Sequence, residues 1–137
     1  MCGENNDITN TIDCSCLNEL LTNIIKLQKK DSKCCNQGGC DKPFLGPTPN
    51  LVCYNTRPVN FYNCQTGALW TIDYTFNGTT GTSSVFRCED IDDCCCTCRI
   101  LIDNGDNNYA ATNQFFIINL NCVSAIKCLP DSYVDIC

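Results

Sequence analysis

Sixteen cysteines in a chain of 137 residues constrain this fold more than any other feature, and several of them are immediate neighbours. A bridge between neighbours such as Cys34 and Cys35 strains both the peptide and the disulfide, so each needs a partner elsewhere. A chain of this length can bury a core without disulfides, unlike a much smaller domain. The surplus therefore points to cysteines that act outside the subunit. The full set is Cys2, Cys14, Cys16, Cys34, Cys35, Cys40, Cys53, Cys64, Cys88, Cys94, Cys95, Cys96, Cys98, Cys122, Cys128 and Cys137.

The chain contains no histidine. That removes the commonest general base, the Ser-His and Cys-His nucleophile pairs, and most catalytic zinc sites. No glycine-rich phosphate loop or nucleophile elbow is present. These absences argue against an enzyme, and no cofactor is expected. The net charge is −6 and the basic residues are scattered, apart from Lys26, Lys29 and Lys30. Without a basic stripe, neither nucleic acid nor an anionic membrane surface is an expected partner. The acidic excess serves solubility before assembly.

Four segments follow from the hydrophobic pattern. Residues 1–12 are polar and read as a flexible cysteine-bearing arm. Residues 13–31 carry Leu17, Leu20, Leu21, Ile24 and Ile25 at helical spacing, with Asp13 as N-cap and the lysines near the negative end of the dipole. Residues 32–50 are a linker broken by Gly38, Gly39, Pro43, Gly46, Pro47 and Pro49. Residues 51–137 form the β domain.

Within that domain, strands are expected at Leu51–Tyr54, Val59–Cys64, Leu69–Phe76, Ser84–Cys88, Cys95–Asp103, Gln114–Leu120 and Cys122–Leu129. Asn77-Gly78 supplies the residues of a tight hairpin turn. Gln114–Leu120 is apolar on both faces and reads as a central strand. Seven or so short strands with turn signals between them predict an antiparallel β-sandwich or jelly-roll-like domain preceded by a short N-terminal helix. The acidic group Glu89, Asp90, Asp92 and Asp93 offers oxygen ligands for calcium but lacks EF-hand spacing, and reads as a solvated loop between strands.

Three readings of the cysteines remain. Cys95 and Cys98 form the sole C-x-x-C pair, without the βαβ unit of a thiol-redox enzyme. Dense C-x-C and C-C units also occur in thiolate clusters that hold zinc or copper, although those usually replace a hydrophobic core. Disulfides explain more of the layout, either as bridges within a monomer or as bonds between subunits. Terminal and vicinal placement favours the second, with Cys2, Cys14, Cys16, Cys34, Cys35, Cys94 and Cys137 as inter-subunit candidates. Cys40, Cys53, Cys64, Cys88, Cys122 and Cys128 are expected inside the domain or buried. In an extended segment Cys94, Cys96 and Cys98 point to one face and Cys95 to the other.

So many cysteines usually mark an oxidising compartment, yet neither a signal peptide nor an apolar run of about 20 residues is visible. Bound metal, a leader already removed, or synthesis in the reduced state followed by oxidation would each resolve this. The Met1 start disfavours the leader.

Several segments also match a known family. They are Cys35 to Cys40 with Pro43-Phe44-Leu45-Gly46, then Asn55-Thr56-Arg57-Pro58, then Phe86-Arg87-Cys88-Glu89. Asp92-Asp93 and the cysteine run follow, and then Phe116 to Leu129, with Asn119-Leu120-Asn121-Cys122 and Ala125-Ile126-Lys127-Cys128-Leu129. On these residues the chain resembles the CotY/CotZ/ExsY family of cysteine-rich spore coat and exosporium proteins of endospore-forming bacteria.

The resemblance implies a structural subunit of the outer coat, crust or exosporium. It would form a hexamer-based, disulfide-linked lattice with itself and contact other coat or exosporium proteins. A filament in a spore appendage is a variant of the same assembly. The resemblance also implies synthesis in the mother-cell cytoplasm without a signal peptide, with oxidation later. By the same resemblance Cys35, Cys40, Cys122 and Cys128 fall on recurrent family cysteines. Ser124 stands where a further cysteine is common, and Cys94-Cys95-Cys96 is denser than usual.

Overall fold

Helix α1 (Ser15–Lys30) begins where the periodic apolar residues begin. The computed structural model describes residues 13–30 and 54–136. The expected arm, the linker, the strand residues Leu51–Cys53 and the cysteines Cys2, Cys34, Cys35, Cys40, Cys53 and Cys137 lie outside the described residues. The expected cap is displaced by one residue. The Cys14 carbonyl accepts the first helical bond, from Asn18 at 2.8 Å, while the Asp13 carboxylate accepts the Ser15 N–H at 3.0 Å. Asp13 still satisfies an orphan donor of the first turn.

The buried stripe of α1 is Cys14, Leu21, Ile24, Ile25 and Gln28, with Leu17 half-buried beside it. Leu20, expected on this stripe, is 38% exposed because it stands at the margin of the face that meets the sheet. The stripe therefore has an apolar middle and two polarisable ends, Cys14 and Gln28. Both ends make specific contacts with the sheet.

Among the described residues seven strands follow: β1 (Val59–Asn63), β2 (Ile72–Phe76), β3 (Thr79–Ser83), β4 (Val85–Asp92), β5 (Cys95–Asp103), β6 (Tyr109–Asn119) and β7 (Val123–Cys128). They form an antiparallel five-stranded sheet of order β6-β5-β4-β1-β7 and a separate hairpin of β2 and β3. The fold is mainly β and sandwich-like with a short helix ahead of it, as the spacing of strands and turns predicts. Helix α1 lies against β4, and the hairpin meets β5 and β6. Leu21, Ile24 and Ile25 of the helix and Trp70, Ile72 and Tyr74 beside or within the hairpin join one core with Phe61, Phe86, Cys88, Cys96, Cys98 and Ile118.

The hairpin turn falls on Asn77 and Gly78, both with positive φ, as its type requires. Its second strand, Thr-Thr-Gly-Thr-Ser, has no apolar alternation and is not legible as a strand. It forms because Tyr74 lies across Gly81, its cross-strand partner. A Cβ at position 81 would stand 2.8 Å from the Tyr74 hydroxyl.

Two further expectations are corrected. The acidic residues 89–92 are not a loop but the second half of β4, and the turn contracts to Asp93, at positive φ, and Cys94. Strand β6 is an edge rather than a central strand. It is apolar on both faces because Phe116 and Ile118 enter the core while Phe115 and Ile117 face outward, 47% and 67% exposed. The Arg99 guanidinium covers the Phe115 ring at 4.5 Å.

On the outer face, the C-terminal segment docks through Val134 against Val85 and Leu101. Asn55 holds this segment as a strand would. Its amide donates to the Val134 carbonyl at 2.8 Å and accepts the Val134 N–H at 2.9 Å. Arg57 adds a forked pair to Asp131 at 2.7 and 2.9 Å.

The Arg57 hydrogen bond holds the Asp131 carboxyl below its ordinary value, so the pair contributes stability above that value and loses it as pH falls through the lowered one. Both side chains are more than a third exposed, which keeps the contribution under about 1 kcal/mol. Asp131→Asn is expected to lower the urea midpoint slightly at pH 7. The gap from the parent should close below the ordinary carboxylate range.

Candidate functional site

The cysteines sort into three groups by where the strands and turns place them. The first is a disulfide. Cys14, at the cap of α1, is bonded to Cys94, in the β4–β5 turn, across 80 residues of sequence and a Cα separation of 5.9 Å. Both are expected above as inter-subunit cysteines, and the structure corrects this. The apolar stripe of α1 turns Cys14 toward the sheet, and the tight turn brings Cys94 beneath it. The Asn18 side-chain amide donates to the carbonyl of Asp93 in the same turn. Cys16 is disulfide-bonded as well.

The second group is buried. Cys88 of β4 and Cys98 of β5 are direct cross-strand partners, and Cys96 lies two residues before Cys98 on the same face. A bulge between Cys88 and Asp90 shifts the register so that Cys96 faces Ile91. The three Sγ atoms lie within 4.8 Å of one another, and those of Cys96 and Cys98 are 3.6 Å apart. All three are free and fully buried.

Hydrogen bonds from Cys88 and Cys98 pull the Cys96 thiol down to about 4, against its burial and the nearby Asp90 charge. The Cys88 thiol is pushed well up by its hydrogen bonds to Cys96 and Cys98 and by burial. At Cys98 the bond to Cys88 lowers the value. The bond to Cys96, burial and the charges of Cys96 and Glu89 outweigh it and raise the thiol.

The third group is exposed. Cys64, Cys95, Cys122 and Cys128 are free thiols at the surface. Cys64, Cys122 and Cys128, expected as intra-domain or buried cysteines, are not buried, because none sits in a strand interior. Cys64 opens the turn after β1, and Cys122 closes a 3-10 turn before β7. Cys128 ends β7, which has no further strand beside it among the described residues. Cys64 and Cys122 are adjacent, with the Cys64 N–H donating to the Cys122 carbonyl at 3.0 Å. Cys95 was not singled out for cross-linking, although strict alternation already puts it on the face opposite Cys96 and Cys98. Cys88 is buried.

A charged network lies behind the buried group. Arg87 and Arg99 are cross-strand partners, an arrangement of like charges that destabilises a sheet unless something intervenes. Glu89 intervenes, with one carboxylate oxygen 2.7 Å from Arg87 and 3.0 Å from Arg99. Arg87 also donates to the Thr56 hydroxyl at 2.9 Å and the Asn55 carbonyl at 3.1 Å, and Arg99 to the Thr112 carbonyl at 3.0 Å. The calcium alternative for the acidic group therefore loses its first ligand to an ion pair.

Asn55, Thr56, Arg87, Cys88 and Glu89, which carry two of the matched segments, thus build the frame around the cysteines. A family model described as spore coat protein Z matches residues 2–114. The chain belongs to the spore coat protein Z family. No curated protein and no solved structure matches it. The match spans helix α1 and strands β1 to β5 and enters β6, so it includes both the disulfide and the buried thiols. Membership of this family gives the chain a structural role in the spore coat and accords with the cysteine content.

Removing Glu89 would leave two guanidiniums facing one another, one of them almost fully buried. Glu89→Ala is expected to cost about 3–5 kcal/mol in denaturant unfolding, the range for breaking one side of a buried pair. An unfolding curve that overlays the parent would refute the network's role.

Proposed function

We propose that this chain is a self-assembling subunit of a spore surface layer, fixed after assembly by disulfides between subunits. The observation that carries this reading is the placement of the exposed thiols. Cys64, Cys95 and Cys122 gather at the short β6–β7 connection, where Cys95 pairs with Asn119 and the Cys64 thiol and N–H meet the carbonyls of Asn121 and Cys122, while Cys128 stands at the far end of β7. Free thiols at two separated places, the β6–β7 connection and the far end of β7, suit contacts that repeat from copy to copy. A closed dimer would need one self-complementary patch instead.

Non-covalent association would come first. Among the described residues no strand pairs with the outer side of β6, and Phe115 and Ile117 are exposed beside it, a combination that soluble proteins normally cover or charge. Oxidation then converts a packed contact into a kinetically stable one. Cys2, Cys34, Cys35 and Cys137 remain further inter-subunit candidates. A hexamer-based layer, contacts with other coat or exosporium proteins, and synthesis in the mother-cell cytoplasm complete the reading.

The test is a full-length variant with Cys64, Cys95, Cys122 and Cys128 replaced by serine, oxidised in air beside the parent. On non-reducing gels the parent should run as a ladder that reductant collapses to monomer, and the variant should lose most of that ladder. An unchanged ladder would reject cross-linking through these four thiols.

A further inference from the structure

The buried trio is not needed for cross-linking, since no neighbouring subunit can reach fully buried thiols. Nor does it resemble ordinary filler. Neighbouring positions on the same core face carry Phe86, Ile100, Ile118 and Phe116, whereas three converging positions carry sulfur. One buried cysteine behaves as a small apolar side chain. Three with their Sγ atoms inside 4.8 Å form a ready-made ligand set. Sulfurs held at about 2.3 Å from one ion in a plane stand about 4 Å apart, close to the 3.6 Å between Cys96 and Cys98.

We propose that Cys88, Cys96 and Cys98 form a three-thiolate site for a soft monovalent ion, copper(I). Thiolates select soft ions, and structural zinc takes four ligands where this group of described residues supplies three. The second cysteine group near an acidic residue, Cys14 and Cys94 with Asp93, is already spent on its disulfide.

Entry is set by the helix. Helix α1 lies across β4, where Gln28 donates to the Cys88 carbonyl at 2.7 Å and the Cys14–Cys94 disulfide ties down the opposite end. The ion therefore enters the reduced chain, before that disulfide closes, and is trapped afterwards. This inference does not depend on cross-linking between subunits, because the two readings use different cysteines.

The test titrates reduced, full-length protein anaerobically with copper(I) against a chromogenic copper(I) chelator. It uses the parent and the serine variant that lacks Cys64, Cys95, Cys122 and Cys128. One equivalent should resist the chelator in both proteins, with three sulfur neighbours by X-ray absorption. Serine at Cys88, Cys96 or Cys98 should each weaken retention roughly tenfold or more. Should a variant fail to fold, as judged by circular dichroism, alkylation of the parent decides. In mild denaturant, loaded protein should shield Cys88, Cys96 and Cys98 from N-ethylmaleimide while unloaded protein does not. The proposal is overturned by copper that maps to other cysteines or by equal retention in the folded Cys98→Ser variant. A four-ligand zinc site that displaces copper, or a Cys88–Cys98 disulfide in the native peptide map, would also overturn it.

Discussion

Helix α1 has to stay on the sheet for the rest of the structure to make sense, and its own sequence is too short to ensure that. A helix of 16 residues is marginal alone, so its stability comes from the face it buries. Leu21, Ile24 and Ile25 supply the apolar contact, but the ends decide its register. At one end a covalent bond joins Cys14 to the β4–β5 turn. At the other, the Gln28 amide donates to the Cys88 carbonyl and accepts the Arg57 N–H at 3.0 Å. One side chain thereby links the helix, strand β4 and the segment that leads into β1. The three buried sulfurs lie beneath a lid fixed at both ends.

The same economy holds on the outer face. Arg87 reaches back to Asn55 and Thr56, which hold the C-terminal segment, and sideways to Glu89, which also neutralises Arg99. Asn55, Thr56, Arg87 and Glu89, from two of the segments that resemble the spore coat family, are therefore part of the framework. That is the pattern expected of a protein whose task is to keep its shape.

How much of this was legible depended on the kind of signal. Alternating apolar residues and Asn-Gly turns marked β1, β2, β5 and β7 closely, because a half-buried strand must alternate. Strand β3 was not legible because Thr and Gly carry no such alternation, and its stability comes from Tyr74 crossing Gly81. The charges of β4 looked like a loop, since the partners of Glu89, Arg87 and Arg99, come together only once the sheet forms. Strand β6 looked central because an exposed apolar face and a buried one have the same sequence. For the cysteines, alternation separated Cys95 from Cys96 and Cys98. No local pattern could pair Cys14 with Cys94, whose meeting is decided by the docking of the helix.

That bond also changes what damage means for the molecule. Every peptide bond from residue 15 to residue 93 lies inside a covalent ring closed by Cys14 and Cys94. A protease that cuts once anywhere in this span opens the ring but releases nothing. Both pieces remain joined through sulfur, with the helix still tied to the turn it covers. Two cuts are needed before a fragment can leave, so the bond adds a tolerance to cleavage that does not depend on how stable the fold is.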